Sequence, residues 1–357
     1  MTIKRLKSLW ASRRLSLAAL PVAAALLVLA ALPAAAGDGS TSYNFLTVPS
    51  SSHVYGLGGR NVSLIDHDVN LVEQNPALLG SETDKQVSLN YMRYLGGSNF
   101  MGVHYGQGIG EHSAWTVGVQ YYGYGSMEGY DITGVSTGSF SASDAVINVG
   151  YSRDIIGSPR LRGGINLKYI HSKYEDYGAG AIAVDAGISY YDPDHAFSVG
   201  LASRNMGGQF KAFNQEKESL PWDVQLGFTK GITGTPFRVS VTAYDLTNWD
   251  SPYYSIVNKN DPNSQLEKHD KFGSTLFRHL VLAGEFLPSN NMYIGIGYNY
   301  RTRTDMSTYQ RNMLSGFSVA GGLRVRAFGF GIALAQPHSG ATTFMLNIST
   351  SINELMR

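Results

Sequence analysis

From Val87 onward, large apolar residues alternate with small or polar ones. A period of two puts successive side chains on opposite faces of a β-strand. Trp222, Val224, Leu226 and Phe228 are separated by Asp223, Gln225, Gly227 and Thr229. Met292, Ile294, Ile296 and Tyr298 alternate with Tyr293, Gly295, Gly297 and Asn299, and Leu161, Ile165, Leu167 and Tyr169 face away from Arg162, Asn166 and Lys168. The pattern predicts fourteen strands, starting near residues 87, 98, 114, 143, 160, 180, 196, 221, 237, 279, 291, 315, 327 and 341.

The two faces differ in kind. Glycines and short polar residues would give a soluble core little apolar area to bury. The opposite face is uniformly aliphatic or aromatic, as a surface against lipid has to be. An even strand count with that asymmetry predicts an all-β fold, a 14-stranded antiparallel transmembrane β-barrel. The spacing agrees. If the first strand runs outward, the long connections near residues 123–142, 204–220, 246–278 and 301–314 all lie outside. The periplasmic turns, near 107–113, 153–159, 191–195, 230–236 and 287–290, are short. Such barrels carry long extracellular loops and short periplasmic turns.

Residues 37–86 precede the first strand and do not alternate. Gly56-Leu57-Gly58-Gly59 lacks the third glycine and the leading strand of a dinucleotide loop. Asp66, Asp68 and Asn70 match a calcium loop at three positions. Leu71 then occupies its obligatory glycine position and Ala77 that of its bidentate glutamate. These acids are better suited to capping short helices. In Asn75-Pro76-Ala77-Leu78-Leu79-Gly80, Asn75 can cap, Pro76 fits the first helical position and Gly80 can close the turn left-handed. A backbone-defined segment ahead of a wide barrel suits a lumen plug, with Gly58, Gly59, Asp66, Asp68, Asn75 and Pro76 as its structural residues.

At the start, Lys4, Arg5, Lys7, Arg13 and Arg14 precede an apolar run from Leu15 to Leu32 and a small-residue site ending Ala34-Ala35-Ala36. This predicts a cleaved signal peptide over 1–36, a plug over 37–86 and a barrel over 87–357. The signal holds five of the 28 Lys+Arg and no acid, leaving 23 bases against 27 acids, net −4. That balance argues against nucleic-acid binding. With no cysteine, thiolate catalysis and thiolate metal sites are excluded. Nine histidines offer no nucleophile–base–orienter set and no zinc spacing on a helix, so no enzyme, cofactor or metal is expected. His104 and Glu285 are expected to face the lumen, and Arg162, Lys168, Asp185, Arg238 and Arg324 to form internal salt bridges there.

The Asn75-Pro76-Ala77 element ahead of the first strand resembles the FadL-like outer-membrane barrels, whose N-terminal part folds into the lumen as a hatch. The longer run YNFLTVPSSSHVYGLGGRNVSLIDHDVNLVEQNPALL (Tyr43 to Leu79), followed by VSLNYMRYLGGSNFMGVHYG (Val87 to Gly106), is similar to an outer-membrane component of the type IX secretion system. Gly56 here stands where that pattern often has alanine. The resemblance implies a non-enzymatic anchor in the bacterial outer membrane. It would hold the surface protein PorZ in an attachment complex with PorU and PorV, amid lipid and lipopolysaccharide. The other function it implies is a FadL-type channel for hydrophobic small molecules. For the anchor, the working surface would be the extracellular loops. In the longest connection, Trp249, Tyr253, Tyr254 and Ile256 are aromatic and aliphatic anchors of the kind that dominate protein interfaces.

Overall fold

The computed structural model describes residues 41–155, 158–213, 217–249, 253–256, 266–305, 314–338 and 341–356. Fourteen antiparallel strands close into one barrel. In chain order they are β1 (Gln86–Arg93), β2 (Asn99–Ile109), β3 (Ser113–Tyr130), β4 (Ser136–Asp154), β5 (Leu161–Tyr174), β6 (Tyr177–Asp192), β7 (Phe197–Lys211), β8 (Asp223–Gly231) and β9 (Phe237–Ala243). A small hairpin, β10 (Tyr253–Ile256) with β11 (Leu266–His269), stands outside the barrel sheet. The barrel resumes with β12 (Leu280–Ser289), β13 (Met292–Asn299), β14 (Phe317–Val325), β15 (Phe328–His338) and β16 (Ala341–Ser351). β1 pairs with β16 from Gln86↔Ser351 to Arg93↔Phe344, which closes the sheet. Every barrel strand except β4 begins within about three residues of its expected start; β4, expected near 143, begins at Ser136. The predicted signal peptide lies outside the described residues, as do positions 37–40.

Register explains the two faces. One row of paired residues runs Leu89, Val103, Val119, Ile147, Tyr169 and Ile182. All six side chains are exposed. The adjacent row runs Ser88, His104, Gly118, Asn148, Lys168 and Ala183, and all are buried. Closure pairs the backbone hydrogen-bonding groups around the ring, and an apolar exterior then meets hydrocarbon without cost.

Two expected loops turn out to be largely strand. Residues 123–142 form most of a hairpin in which β3 and β4 run past their barrel neighbours, whose last pairs with them are Asn99↔Gly123 and Ala142↔Tyr174. Gly125 (φ +80°) and Gly138 (φ +104°) interrupt the alternation, which hid the strands from a period-two reading. In the 204–220 stretch, β7 continues to Lys211 after a register shift at the left-handed Asn205. The 246–278 connection carries β10–β11 and a helix, Phe272–Arg278.

Candidate functional site

From Thr41 the prefix lies against the inward face of the strands. Its first turn, Ser42–Thr47, is capped by Thr41 and held by Glu218, whose carboxylate accepts from Ser42 N–H at 2.7 Å. The helix Ser52–Gly56 follows, then an extended stretch and two short turns. Asp68 caps Val69–Glu73, accepting from Asn70 N–H at 3.0 Å. Asn75 caps Pro76–Leu78, accepting from Ala77 N–H at 3.0 Å. Pro76 occupies the first helical position, as expected. Gly58 (φ +93°) and Gly59 (φ +83°) are left-handed, which lets the chain reverse out of the helix. Gly80 is not: it is extended (φ −133°, ψ 172°) and precedes the turn Ser81–Thr83. A Cβ there would meet only the ends of the Arg162 and Glu82 side chains, which can move aside.

The inward glycines now have a reason. A Cβ at Gly200 would collide with the Val62 carbonyl, one at Gly187 with Asn75, one at Gly164 with Pro76, and one at Gly297 with the Leu57–Gly58 backbone. Asn75 Nδ2 also donates to Val62 O at 2.9 Å and to Ile188 O at 3.3 Å. At these points the wall presents backbone without a side chain to the prefix, on β5, β6 and β7 and again on β13.

Elsewhere charges make the join. His53 is buried and stacked on the Tyr293 ring, with centroids 3.6 Å apart. Its Nδ1 lies 2.6 Å from Asp66 Oδ2 and its Nε2 lies 2.7 Å from Glu285 Oε1. Arg238 grips the same Glu285 with two donors, at 2.6 and 2.7 Å, and donates to Ile65 O at 2.6 Å. Carboxylates only accept, so both ring nitrogens must carry protons and His53 is an imidazolium. His53 belongs to the prefix, outside the spanning strands. Burial, the largest influence, pulls its pKa down, but Glu285 and Asp66 more than reverse this and raise it to about 9. A second knot centres on Glu73, which accepts from Gln120 at 2.5 Å and Asn148 at 2.8 Å and lies 3.2 Å from His104 Nε2.

Among the expected lumen charges, Lys168 pairs with Asp185 at 2.7 Å and Arg162 with Asp154 at 2.8 Å. Arg324 departs from the expectation: it is exposed, and no ion pair to it occurs among the described residues. It sits next to the short turn between β14 and β15, where its side chain reaches water. The three candidate calcium positions are engaged with protein: Asp66 holds His53, Asp68 accepts from Ser51 at 2.8 Å and from Asn70, and Asn70 Nδ2 donates to Ser88 at 2.7 Å.

Two cavities flank the helix Ser52–Gly56. One of about 370 Å³ is lined by Ser52, His53, Asp66, Arg238, Tyr293 and Arg324 among others. The other, about 180 Å³, is lined by Tyr55, Gly58, Arg60, Asn299, Phe317 and others. Tyr55 hydrogen-bonds Thr343, and Ser318 Oγ joins Gly56 O and Gly58 N–H, each at 2.9 Å, fixing the helix to the wall.

The longest extracellular connection divides its candidate residues. Trp249 and Tyr254 are exposed, Trp249 lying flat on the His279 ring at 4.6 Å. Tyr253 is turned inward and buried, with its hydroxyl 3.1 Å from that of Tyr300 and its ring beneath Arg278. Ile256 ends β10. Sequence reasoning placed Glu285 and His104 inward, since parity fixes the side of a strand residue. It did not find His53 as the counterpart of Glu285, nor Glu73 as that of His104: residues ahead of the strands carry no parity, and His53 and Glu285 are 232 positions apart.

No family model and no curated protein matches the sequence. Among solved structures, the chain is similar to a Pseudomonas aeruginosa FadL homologue (TM-score 0.50, 11% identity, 85% of this chain and 98% of that one). It is also similar to the Pseudomonas putida toluene transporter TodX (TM-score 0.50, 10% identity, 83% and 95%). At that identity the likeness is one of fold. Joined to the apolar exterior and the closed hydrogen-bonded ring, it makes this chain a bacterial outer-membrane barrel of FadL-like fold.

Proposed function

We propose that the barrel is a closed platform in the outer membrane, with the prefix as its plug and the extracellular face as its working surface. By the resemblance of residues 43–106 to PorQ, it holds PorZ there, in a complex with PorU and PorV and with no chemistry of its own. The observation that carries this reading is the occupied lumen. Residues 41–84 meet the wall by backbone contact on one side and by buried ion pairs on the other, and a helical turn separates the two cavities. Exposed Trp249, Tyr254 and Phe272 offer aromatic area above. Replacing residues 251–271 with a short Gly/Ser turn is expected to leave a heat-modifiable barrel in the outer membrane while PorZ disappears from the cell surface. Retention of surface PorZ after this replacement removes the loop as the docking site, and retention after deletion of the whole protein removes the platform reading.

The second reading is a FadL-type channel for hydrophobic small molecules. The solved structures speak for it more directly than for the platform, since TodX is a toluene transporter. The cavities favour it too, since they lie on either side of the helix Ser52–Gly56. Uptake of radiolabelled toluene into liposomes carrying the purified protein, above that of protein-free liposomes, would put this reading first.

A further inference from the structure

Among the described residues, no strand pairs with the hairpin that β3 and β4 form beyond the barrel. On the β4 edge Ser141 O accepts from Glu175 N–H, and above that both edges are free of strand partners. β2 last pairs with β3 at Gly123 and β5 last pairs with β4 at Ala142, whereas β3 and β4 go on pairing with each other to Tyr130 and Ser136. Its tip is set by Asp131, whose side chain accepts from Thr133 N–H at 2.8 Å and Val135 N–H at 2.9 Å. The two edges are not equivalent. On β4 the edge is broken by the left-handed Gly138, while on β3 Ser126–Gly129 pair in unbroken register. Natural edge strands are guarded by lysine, by proline, by a bulge or by a covering loop, and the β3 bulge falls at Tyr124–Gly125, ahead of the Ser126–Gly129 run. Residues 123–142 contain no lysine, arginine or proline, and the connection beside them, Tyr94–Ser98, is too short to cover the edge. Tyr130 and Ile132 expose 61% and 105% of their surface. A two-stranded ribbon is marginal in water without a third strand or a packed face.

We propose that the β3 edge over Ser126–Gly129 is a docking site for an extended, lysine- or arginine-bearing strand of a cell-surface protein. Unpaired main-chain groups on a straight edge are satisfied by another strand, through β-addition. The charge selects which one. The only charged side chains of the hairpin are Glu128 and Asp131, so a basic strand is attracted and a second acidic copy of this hairpin is repelled. The site is separate from the platform reading, whose proposed surface is the connection between β9 and β12.

The test uses the full-length protein in a non-ionic detergent and short fluorescein-labelled strand peptides of alternating Thr and Val with either two Lys or two Glu. Anisotropy titrations are expected to show the Lys peptide binding about tenfold more tightly than the Glu peptide. The E128K variant should reverse that order. Replacing residues 126–141 with Asn-Gly should abolish binding while the barrel keeps its heat-modifiable migration. Equal binding of both peptides, an unchanged order in E128K, or binding that survives the replacement would overturn the proposal. Hairpin-dependent dimers of the protein itself would also overturn it, by giving the edge to a second copy. If the shortened barrel does not fold, the E128K comparison decides.

Discussion

The prefix is held in two different ways on the two sides of the lumen. Towards β5, β6 and β7 it meets glycines, and Asn75, Pro76 and Val62 press on backbone that carries no side chain. Towards β9 and β12 it meets charge, with His53 and Arg238 converging on Glu285. Shape complementarity depends on volume and is indifferent to pH. A buried ion cluster depends on every partner being present, because each charge was taken out of water to form it. The first side therefore sets where the prefix sits, and the second sets the conditions under which it stays.

The largest effect is expected from Glu285→Ala, which leaves His53 and Arg238 buried without their shared acceptor. Breaking a buried ion cluster costs about 3–5 kcal/mol, to be read as a lower urea midpoint for loss of the folded, fast-migrating form. An unchanged midpoint would mean that the charged side contributes nothing. The same side should respond to pH. A histidine raised from 6.5 to about 9 contributes stability that is complete below the lower value and lost as pH rises through the higher. Hydrogen exchange over residues 52–68 should thus accelerate as pH passes about 9, beyond the base-catalysed change in intrinsic rate. Glu285→Ala should flatten that rise.

Gly200→Val attacks the other side. Its side chain would overlap the Val62 carbonyl, and overpacking of this kind costs about 2–3 kcal/mol. The loss should be the same at neutral and alkaline pH, and a pH-dependent loss would show that the two sides are coupled. The smallest effect belongs to Gly59→Ala. Nothing lies within 4 Å of the added methyl, so only the left-handed backbone (φ +83°) is penalised, by about 1 kcal/mol. A much larger loss there would place the prefix closer to the wall than its contacts indicate.

Much of this architecture was legible because a membrane enforces regularity. Leu226 and Ile294 face lipid and their neighbours Gln225 and Tyr293 face inward, so one misplaced residue would break a visible pattern. The caps at Asp68 and Asn75 were legible because capping is local, with donor and acceptor two residues apart. The joins to the wall were not. His53 and Glu285 carry no mark of each other in the sequence, and the glycines at 164, 187 and 200 read as a small inner face without naming what fills it. Tyr253 and Tyr254 are adjacent and alike in type, yet one is buried and one exposed, a choice made by Tyr300 and Arg278 from distant parts of the chain. The β3–β4 extension was lost to glycines that break the alternation, Gly125 at a bulge after which the pairing resumes at Ser126↔Ser141.

The bond between Ser52 N–H and Asn347 Oδ1, at 2.5 Å, joins positions 295 residues apart. Asn347 lies on β16, the strand that pairs with β1, and β1 is the strand into which the prefix runs. During folding the prefix must therefore wait for β16 before Ser52 finds this partner. Contacts of such long sequence separation are slow to form, because loop closure precedes any gain from them. Sealing the β1–β16 seam and seating Ser52 against Asn347 are then a single late step, so this part of the prefix reaches its place only when the wall beside it is nearly whole.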